Sequence, residues 1–268
     1  MAIRRDGLSL RAKAQIAEVV IIDAFNSFQR PAVVWSGGKD STVVLHMALG
    51  VAAKLGKPKP PVVFIDHGQH FEETYSFVRE VSEAWGLNLI YARNEDVLSK
   101  VREGWIRVEE LDQENREEAR RINPQVEEVE FQRALETDLG NHLLKTVALN
   151  RAIRDFRFDA LMTGVRWDEN PARSGEVFVS RRDRPLHFRV HPILPFTERD
   201  VWDYVLVNRL PIHPLYYKGY RSLDGKFDTV RTGEKPAWEQ DLEGTRERAG
   251  RAQDKEGMME KLRRFGYM

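Results

Sequence analysis

Six consecutive residues, Ser36-Gly37-Gly38-Lys39-Asp40-Ser41, set two hydroxyls, two glycines, a cation and a carboxylate between the apolar runs Val33-Val34-Trp35 and Thr42-Val43-Val44-Leu45. Read as strand, turn and helix, this order leaves unpaired backbone N–H groups at a helix N-terminus, where the peptide dipoles also favour negative charge. Gly37 and Gly38 allow positive φ and close approach of an oxyanion to the main chain, Ser36 and Ser41 add hydroxyl donors, and Lys39 adds a compact cation. The chemistry indicated is phosphate binding. An ordinary capped turn needs neither the cation nor both hydroxyls, and the spacing is not that of a Walker A loop.

Two further motifs follow apolar runs. Asp66-His67-Gly68-Gln69-His70-Phe71 comes after Val62 to Ile65, and Gly164-Val165-Arg166-Trp167-Asp168-Glu169, with Arg173 beyond, comes after Phe158 to Met162. Arg166 has the geometry to clamp phosphate oxygens or a sulfate-like anion through two parallel bonds. Asp168 and Glu169 are candidates to orient that arginine or to hold magnesium through water, and Asp40 and Asp66 to orient a metal or a ribose. The plainer alternatives are a capped turn at Asp66 and a surface ion-pair cluster at Arg166. His67 and His70 lie three apart without a third ligand, so zinc is not indicated.

The elements that must position these residues are legible from pattern. Helical spacing of Leu10, Ala14, Ile16, Ala17, Val20, Ile21 and Ala24 predicts a helix over 9–28, covering the sheet, and Pro31 ends that segment. A strand to Trp35, a helix over 42–54, a strand over 62–65, a helix over 71–85 stopped by Gly86 and a strand over 87–91 follow. Residues 93–136 are crowded with charge around Pro124 and are expected to be a helical insertion, either a mobile lid or a solvated helix face. A helix over 142–155, a strand over 158–162, antiparallel strands within 176–192 and a helix with Thr197 as its N-cap come next. From about 215 the chain reads as loop-rich until a last basic helix containing Arg263-Arg264. Alternation of strand and helix predicts an α/β fold, a doubly wound mostly parallel sheet over residues 1–210, with a C-terminal extension over 211–268. In such sheets ligands bind outside the carboxyl ends of the strands, where all three motifs fall.

Bulk properties narrow the classes. The 268 residues carry 42 basic and 42 acidic side chains, so net charge calls for neither nucleic acid nor an anionic membrane as partner. No run approaches a membrane span and the N-terminus has no long apolar core, so a cytoplasmic location is expected. The chain contains no cysteine, which excludes disulfides, zinc–thiolate sites, cysteine-ligated iron–sulfur clusters and thiol nucleophiles.

Ser36 to Ser41 resembles the signature loop of the PP-loop ATP pyrophosphatase superfamily, with its adenine nucleotide alpha hydrolase-like fold. With Asp66, Gly68 and the Gly164-x-Arg166-x-Asp168-Glu169 pattern, the chain resembles that superfamily's phosphoadenylylsulfate reductase branch. His191-Pro192-Ile193, the Thr197 to Tyr204 helix and the ending from Arg248 through Gly250, Arg251 and Asp254 to Gly266-Tyr267 are similar to the small subunit of bacterial sulfate adenylyltransferase. The resemblance implies ATP and Mg2+ as cofactors and cleavage of ATP between its α and β phosphates. Sulfate would be the acceptor, and a GTPase large subunit the partner. It implies nucleotide contacts at Ser36, Gly37, Gly38, Lys39, Asp40, Ser41, Asp66 and Gly164, and catalytic roles for Lys39, Arg166 and Asp168. FMN adenylyltransferases share the branch and are the alternative, with Trp167, Tyr216 and Tyr217 as available stacking aromatics; a nucleotide binder without turnover is a third reading. Thiol-dependent reduction is disfavoured, because the reductases need a C-terminal cysteine and this chain has none. Gly219-Tyr220-Arg221-Ser222 runs into Leu223 to Thr229, where some relatives carry two cysteines, and the loop from Arg173 to His191 is shorter than expected of the transferase subunit.

Overall fold

A computed structural model describes residues 7–124, 130–245 and 247. Its central sheet has the strand order β3-β2-β1-β6-β8-β7. These strands are β1 (Pro31–Val34), β2 (Val62–Ile65), β3 (Leu89–Ala92), β6 (Ala160–Met162), β7 (Val179–Asp183) and β8 (Leu186–Val190). All neighbours run parallel except β7, which pairs antiparallel with β8 at one edge. The antiparallel pair expected within 176–192 is therefore present, and β8 also extends the parallel sheet beside β6.

Pleating sorts the apolar residues of each strand onto two faces. Val33, Trp35, Val62, Phe64, Ala160 and Met162 enter one core. That core includes residues of α1 (Leu10–Ser27), α2 (Lys39–Lys54), α3 (Glu72–Trp85) and α8 (Glu198–Val207). Ala32, Val63 and Leu161 face the other way, against Leu149, Ala152 and Ile153 of α7 (Ala148–Phe156). Strands buried on both faces explain the unbroken apolar runs in the sequence.

Capping decides the helix limits. Ser9 accepts from the Ala12 N–H to open α1, and Gly86, at φ +56°, ends α3. Thr197 and Asp200 form a reciprocal capping box that opens α8. Lys13, buried in α1, pairs with Asp200 at 2.5 Å, tying α1 to that same helix start. The helix expected over 142–155 contains a π-helical stretch, His142–Val147, which follows the short α6 (Asp138–Asn141).

The charged segment 93–136 differs from a helical lid. Its described part holds α4 (Glu95–Ser99), α5 (Gln113–Ile122) and an antiparallel pair, β4 (Trp105–Arg107) with β5 (Glu130–Gln132). Ile106, Val108, Leu111, Ala119, Ile122, Phe131 and Leu135 build a core shared with Leu143, Leu144 and Val147 of the main chain helix. The pattern was hidden because α5 buries only Asn115, Ala119 and Ile122, a stripe too narrow to stand out among its charges. Those charges are also structural: Arg151 of α7 bonds Asp112 and Glu114 at 2.8 Å each.

Among the described residues no helix is long and apolar enough to cross a membrane. The C-terminal basic helix and the Arg248 to Tyr267 motif lie outside the described residues. The part of the extension that is described packs closely: Leu215 and Tyr216 of α9 (Pro214–Tyr217) are buried, and Tyr216, Ala237 and Leu242 belong to the α2-side core.

If the insertion is held by its own apolar core, Ile106→Ala should remove about 2–5 kcal/mol of stability through transfer and cavity costs together. Urea denaturation followed by tryptophan fluorescence reads that loss directly.

Candidate active site

Strand order reverses between β1 and β6: the chain proceeds outward from β1 to β2 and β3, then returns on the other side of β1. The loops leaving β1 and β6 therefore meet at a crevice that no crossover helix fills. Gly164 shows how closely they meet. A Cβ there would lie 2.7 Å from the Ser41 nitrogen and 2.8 Å from the Asp40 carbonyl carbon.

The loop after β1 turns on Gly37, whose φ of +76° suits glycine alone without strain. Gly38 differs from the expectation that both glycines serve positive φ. It is extended, at φ −74° and ψ 156°, and is the N-cap residue of α2. Its smallness answers to space instead, since a Cβ would lie 3.2 Å from Ser36 Oγ and 3.5 Å from the Tyr216 hydroxyl. Ser41 Oγ accepts from the Ser36 N–H at 3.2 Å and donates to the Gly38 carbonyl at 3.0 Å, closing the turn from within. Thr42 donates to the same carbonyl and accepts from the Trp35 indole, each at 2.9 Å. The Lys39 N–H donates to the Tyr216 hydroxyl at 3.0 Å.

Lys39 and Arg166, from separate motifs, converge on shared carboxylates. Lys39 Nζ lies 3.3 Å from Asp40 Oδ2, 3.8 Å from Glu198 Oε1 and 2.5 Å from Glu247 Oε1. The Arg166 guanidinium reaches Asp40 Oδ1 at 2.7 Å, Asp168 Oδ1 at 3.0 Å and Glu247 Oε2. Arg166 is fully buried and Lys39 is 4% exposed. Burial alone would discharge the lysine, but Asp40 and Glu247 outweigh it and hold the ammonium above its ordinary range; the guanidinium is raised in the same way. Burial would likewise raise Glu247, and here Arg166 and Lys39 win and hold it low. At Asp168 burial prevails over Arg166 and pushes the carboxyl up to about 6.

A second layer locks the first. Arg221, 2% exposed, grips the Glu198 carboxylate through bonds of 2.7 to 3.1 Å, while its own carbonyl accepts from Lys39 Nζ at 3.3 Å. The Glu198 N–H donates to Asp168 Oδ2 at 2.9 Å. Over this assembly opens a cleft of about 200 Å³, whose lining includes Ser36, Gly38, Asp40, Thr163, Arg173 and Ser222.

Of the residues expected at the site, Ser36 to Ser41, Gly164, Arg166 and Asp168 are brought together. Asp66 sits one strand over, at the end of β2, its carboxylate bonded to the Gly68 N–H, the Tyr75 hydroxyl and Arg93 at 2.9, 2.8 and 2.6 Å. Tyr216 and Trp167 are engaged by the fold: Tyr216 packs edge-on against Trp202, and the Trp167 indole donates to the Glu176 carbonyl. His67 and His70 stack at 3.7 Å, and the described residues hold no group of three or more potential ligands arranged for a metal. Sequence reasoning missed Glu198, Arg221 as a clamp, and Glu247. Nothing local marks them; each gains its role from a long-range contact.

These features define an α/β protein of the PP-loop superfamily, in its phosphoadenylylsulfate reductase branch. The chain belongs to the family of the phosphoadenosine phosphosulfate reductase domain, whose model matches residues 30–230. It is similar to sulfate adenylyltransferase subunit 2 of Mycolicibacterium vanbaalenii, at 28% identity over 237 residues, covering 80% of this chain and 66% of that protein. Other bacterial relatives of the same name match at similar identity and over similar spans, so the chain covers just under two thirds of their length. In fold it is similar to FMN adenylyltransferase of Candida glabrata, with a TM-score of 0.64 at 18% identity over 95% of this chain and 92% of that one. It is also similar in fold to phosphoadenylyl-sulfate reductase of Candida auris, with a TM-score of 0.58 at 21% identity over 84% and 98%.

Two expectations follow. Gly164→Ala should push the β6 loop off the phosphate loop and cost about 1–3 kcal/mol, read by urea denaturation, because neither backbone can yield cheaply. His213, buried beside the loop, accepts the Leu215 N–H at Nδ1 and pairs with Thr74 through Nε2. Burial lowers it to about 4. The unfolded chain then binds the extra proton first, so this contribution is lost as pH falls from about 6.5 toward 4. His213→Asn, which keeps an acceptor for the cap, should lose less stability than the parent over that window in urea titrations.

Proposed function

We propose that the chain is an ATP-dependent adenylyltransferase that transfers AMP to sulfate, acting as a sulfate adenylyltransferase small subunit. The observation carrying this reading is the meeting of Lys39 and Arg166 around one carboxylate at the β1/β6 switch point, a cation pair suited to an oxyanion ligand. In the proposed reaction a sulfate oxygen attacks the α-phosphorus, the bond from that phosphorus to the β-phosphate oxygen breaks, and pyrophosphate leaves with the electron pair. Ser36 to Ser41 would cradle the departing pyrophosphate, with Lys39 and Arg166 neutralising its developing charge and Asp168 orienting Arg166. The carboxylates here are engaged by arginine and lysine, so magnesium enters as the counterion of ATP.

Absence of cysteine fits direct attack by the acceptor, without a thiol intermediate. Formation of a mixed sulfate–phosphate anhydride runs uphill from ATP, which supports a GTP-hydrolysing partner subunit that drives it. The homology to proteins named subunit 2 is consistent with such a heteromer.

Incubation of the chain with magnesium, α-labelled ATP and sulfate, with pyrophosphatase to pull the equilibrium, should give labelled adenylyl sulfate. Lys39→Ala should lower kcat/KM by about 10²–10³, the cost of losing one preorganised charge contact. Label appearing in a flavin dinucleotide when FMN replaces sulfate would overturn the sulfate reading. No product even with a GTPase partner and GTP would leave a nucleotide binder without turnover.

A further inference from the structure

Glu247 closes a site that it would have to leave if phosphate is to enter. Its two carboxylate oxygens are divided between the two cations, Oε1 on Lys39 at 2.5 Å and Oε2 on Arg166. The residue is 8% exposed and lines the cleft above the loop. The described chain leading to it is held by Arg199, which bonds the Glu243 carboxylate at 3.1 and 3.3 Å, and by Arg221. Arg221 donates to the carbonyls of Asp241 at 3.1 Å, Leu242 at 2.9 Å and Thr245 at 3.1 Å, and to the Thr245 hydroxyl at 2.5 Å. The same guanidinium binds Glu198 at the start of α8, fixing the segment to the rim of the site.

A carboxylate bridging two cations presents two oxygens, as one edge of a tetrahedral phosphate does. Lys39 and Arg166 point their donors at Glu247 and at Asp40, with Arg166 also on Asp168, so a phosphate cannot gain both while Glu247 stays. We propose that residues 241–245 are the anchored base of a strap whose Glu247 carboxylate occupies the pyrophosphate seat in the unliganded protein, and that the nucleotide binds by displacing Glu247. The proposal rests on the phosphate reading of the Ser36 to Ser41 loop. A phosphate chain carries more charge than one carboxylate and also gains the loop hydroxyls, so exchange is favourable. Displacement then links occupancy of the nucleotide site to the position of the strap.

The probe is inorganic pyrophosphate, titrated calorimetrically into the full chain and into its Glu247→Gln form, which keeps the side-chain volume and an acceptor oxygen. A strap seated about nine-tenths of the time weakens apparent affinity about tenfold, so the variant should bind pyrophosphate about tenfold more tightly. In the unsubstituted chain, hydrogen exchange of the amides over 241–247 should speed up when pyrophosphate is added, a readout that does not depend on how the variant folds. Unchanged or weaker binding in Glu247→Gln, or slower exchange of 241–247 on pyrophosphate addition, would overturn the displaced strap while leaving the phosphate site in place. Failure of both forms to bind pyrophosphate would overturn the phosphate reading and the strap with it.

Discussion

Two cations that would repel one another are kept together in a buried crevice, and much of the local structure serves that constraint. Like charges about 4 Å apart cost on the order of 4 kcal/mol at an effective dielectric of 20, before the desolvation of each is counted. Lys39 and Arg166 are held by carboxylates from four places: Asp40 in the first turn of α2, Asp168 after β6, Glu198 at the start of α8, and Glu247. Glu198 is itself pulled two ways: burial raises its carboxyl, while Lys39 and Arg221 oppose that rise. Removing any one partner leaves charge that the remaining groups must absorb, which makes the cluster stiff.

That stiffness comes from the fold. The switch point fixes where the loops of β1 and β6 approach, and the absence of a side chain at Gly164 lets them touch. The capping box of Thr197 and Asp200 sets the start of α8, so the Glu198 N–H meets Asp168 while its carboxylate meets Arg221. Lys13 reaches Asp200 from α1, carrying the constraint to the first helix of the chain. One acidic helix start thus joins the phosphate loop, the arginine loop, the N-terminal helix and the strap.

The sheet and the turn between β1 and α2 are readable in the sequence because both are written locally. Buried parallel strands are unbroken apolar runs, and a helix-opening anion loop needs glycine, hydroxyl and cation in sequence. The core of the 93–136 segment is not legible because it is assembled from single apolar residues spread over two short helices, a hairpin and the helix of Leu143. Arg166 was legible as a motif residue, whereas the partners that charge-balance it were not. Glu247 lies 81 residues away along the chain. Glu198 looks like any acidic residue in a first helical turn, and Arg221 lies in a stretch whose resemblance drew notice for its missing cysteines.

The same fold is shared by proteins named as a reductase and as an FMN adenylyltransferase, so the fold alone does not choose a reaction. The choice falls on what reaches the α-phosphorus. On the adenylyl-transfer reading, a chain without a thiol leaves the attack to an oxygen of the acceptor, and discrimination passes to the cleft residues outside the loop. These include Thr163, Arg173 and Ser222. Thr163 bonds the His191 ring at 2.7 Å, and His191 is kept neutral, lowered to about 3 by burial and then by Arg189, Arg173 and Arg182. The His191 Nε2 also lies 3.9 Å from Glu176 Oε2, so charge of both signs faces that side of the site. On the same reading, the acceptor is met by these cleft residues, while the loop after β1 holds the phosphates.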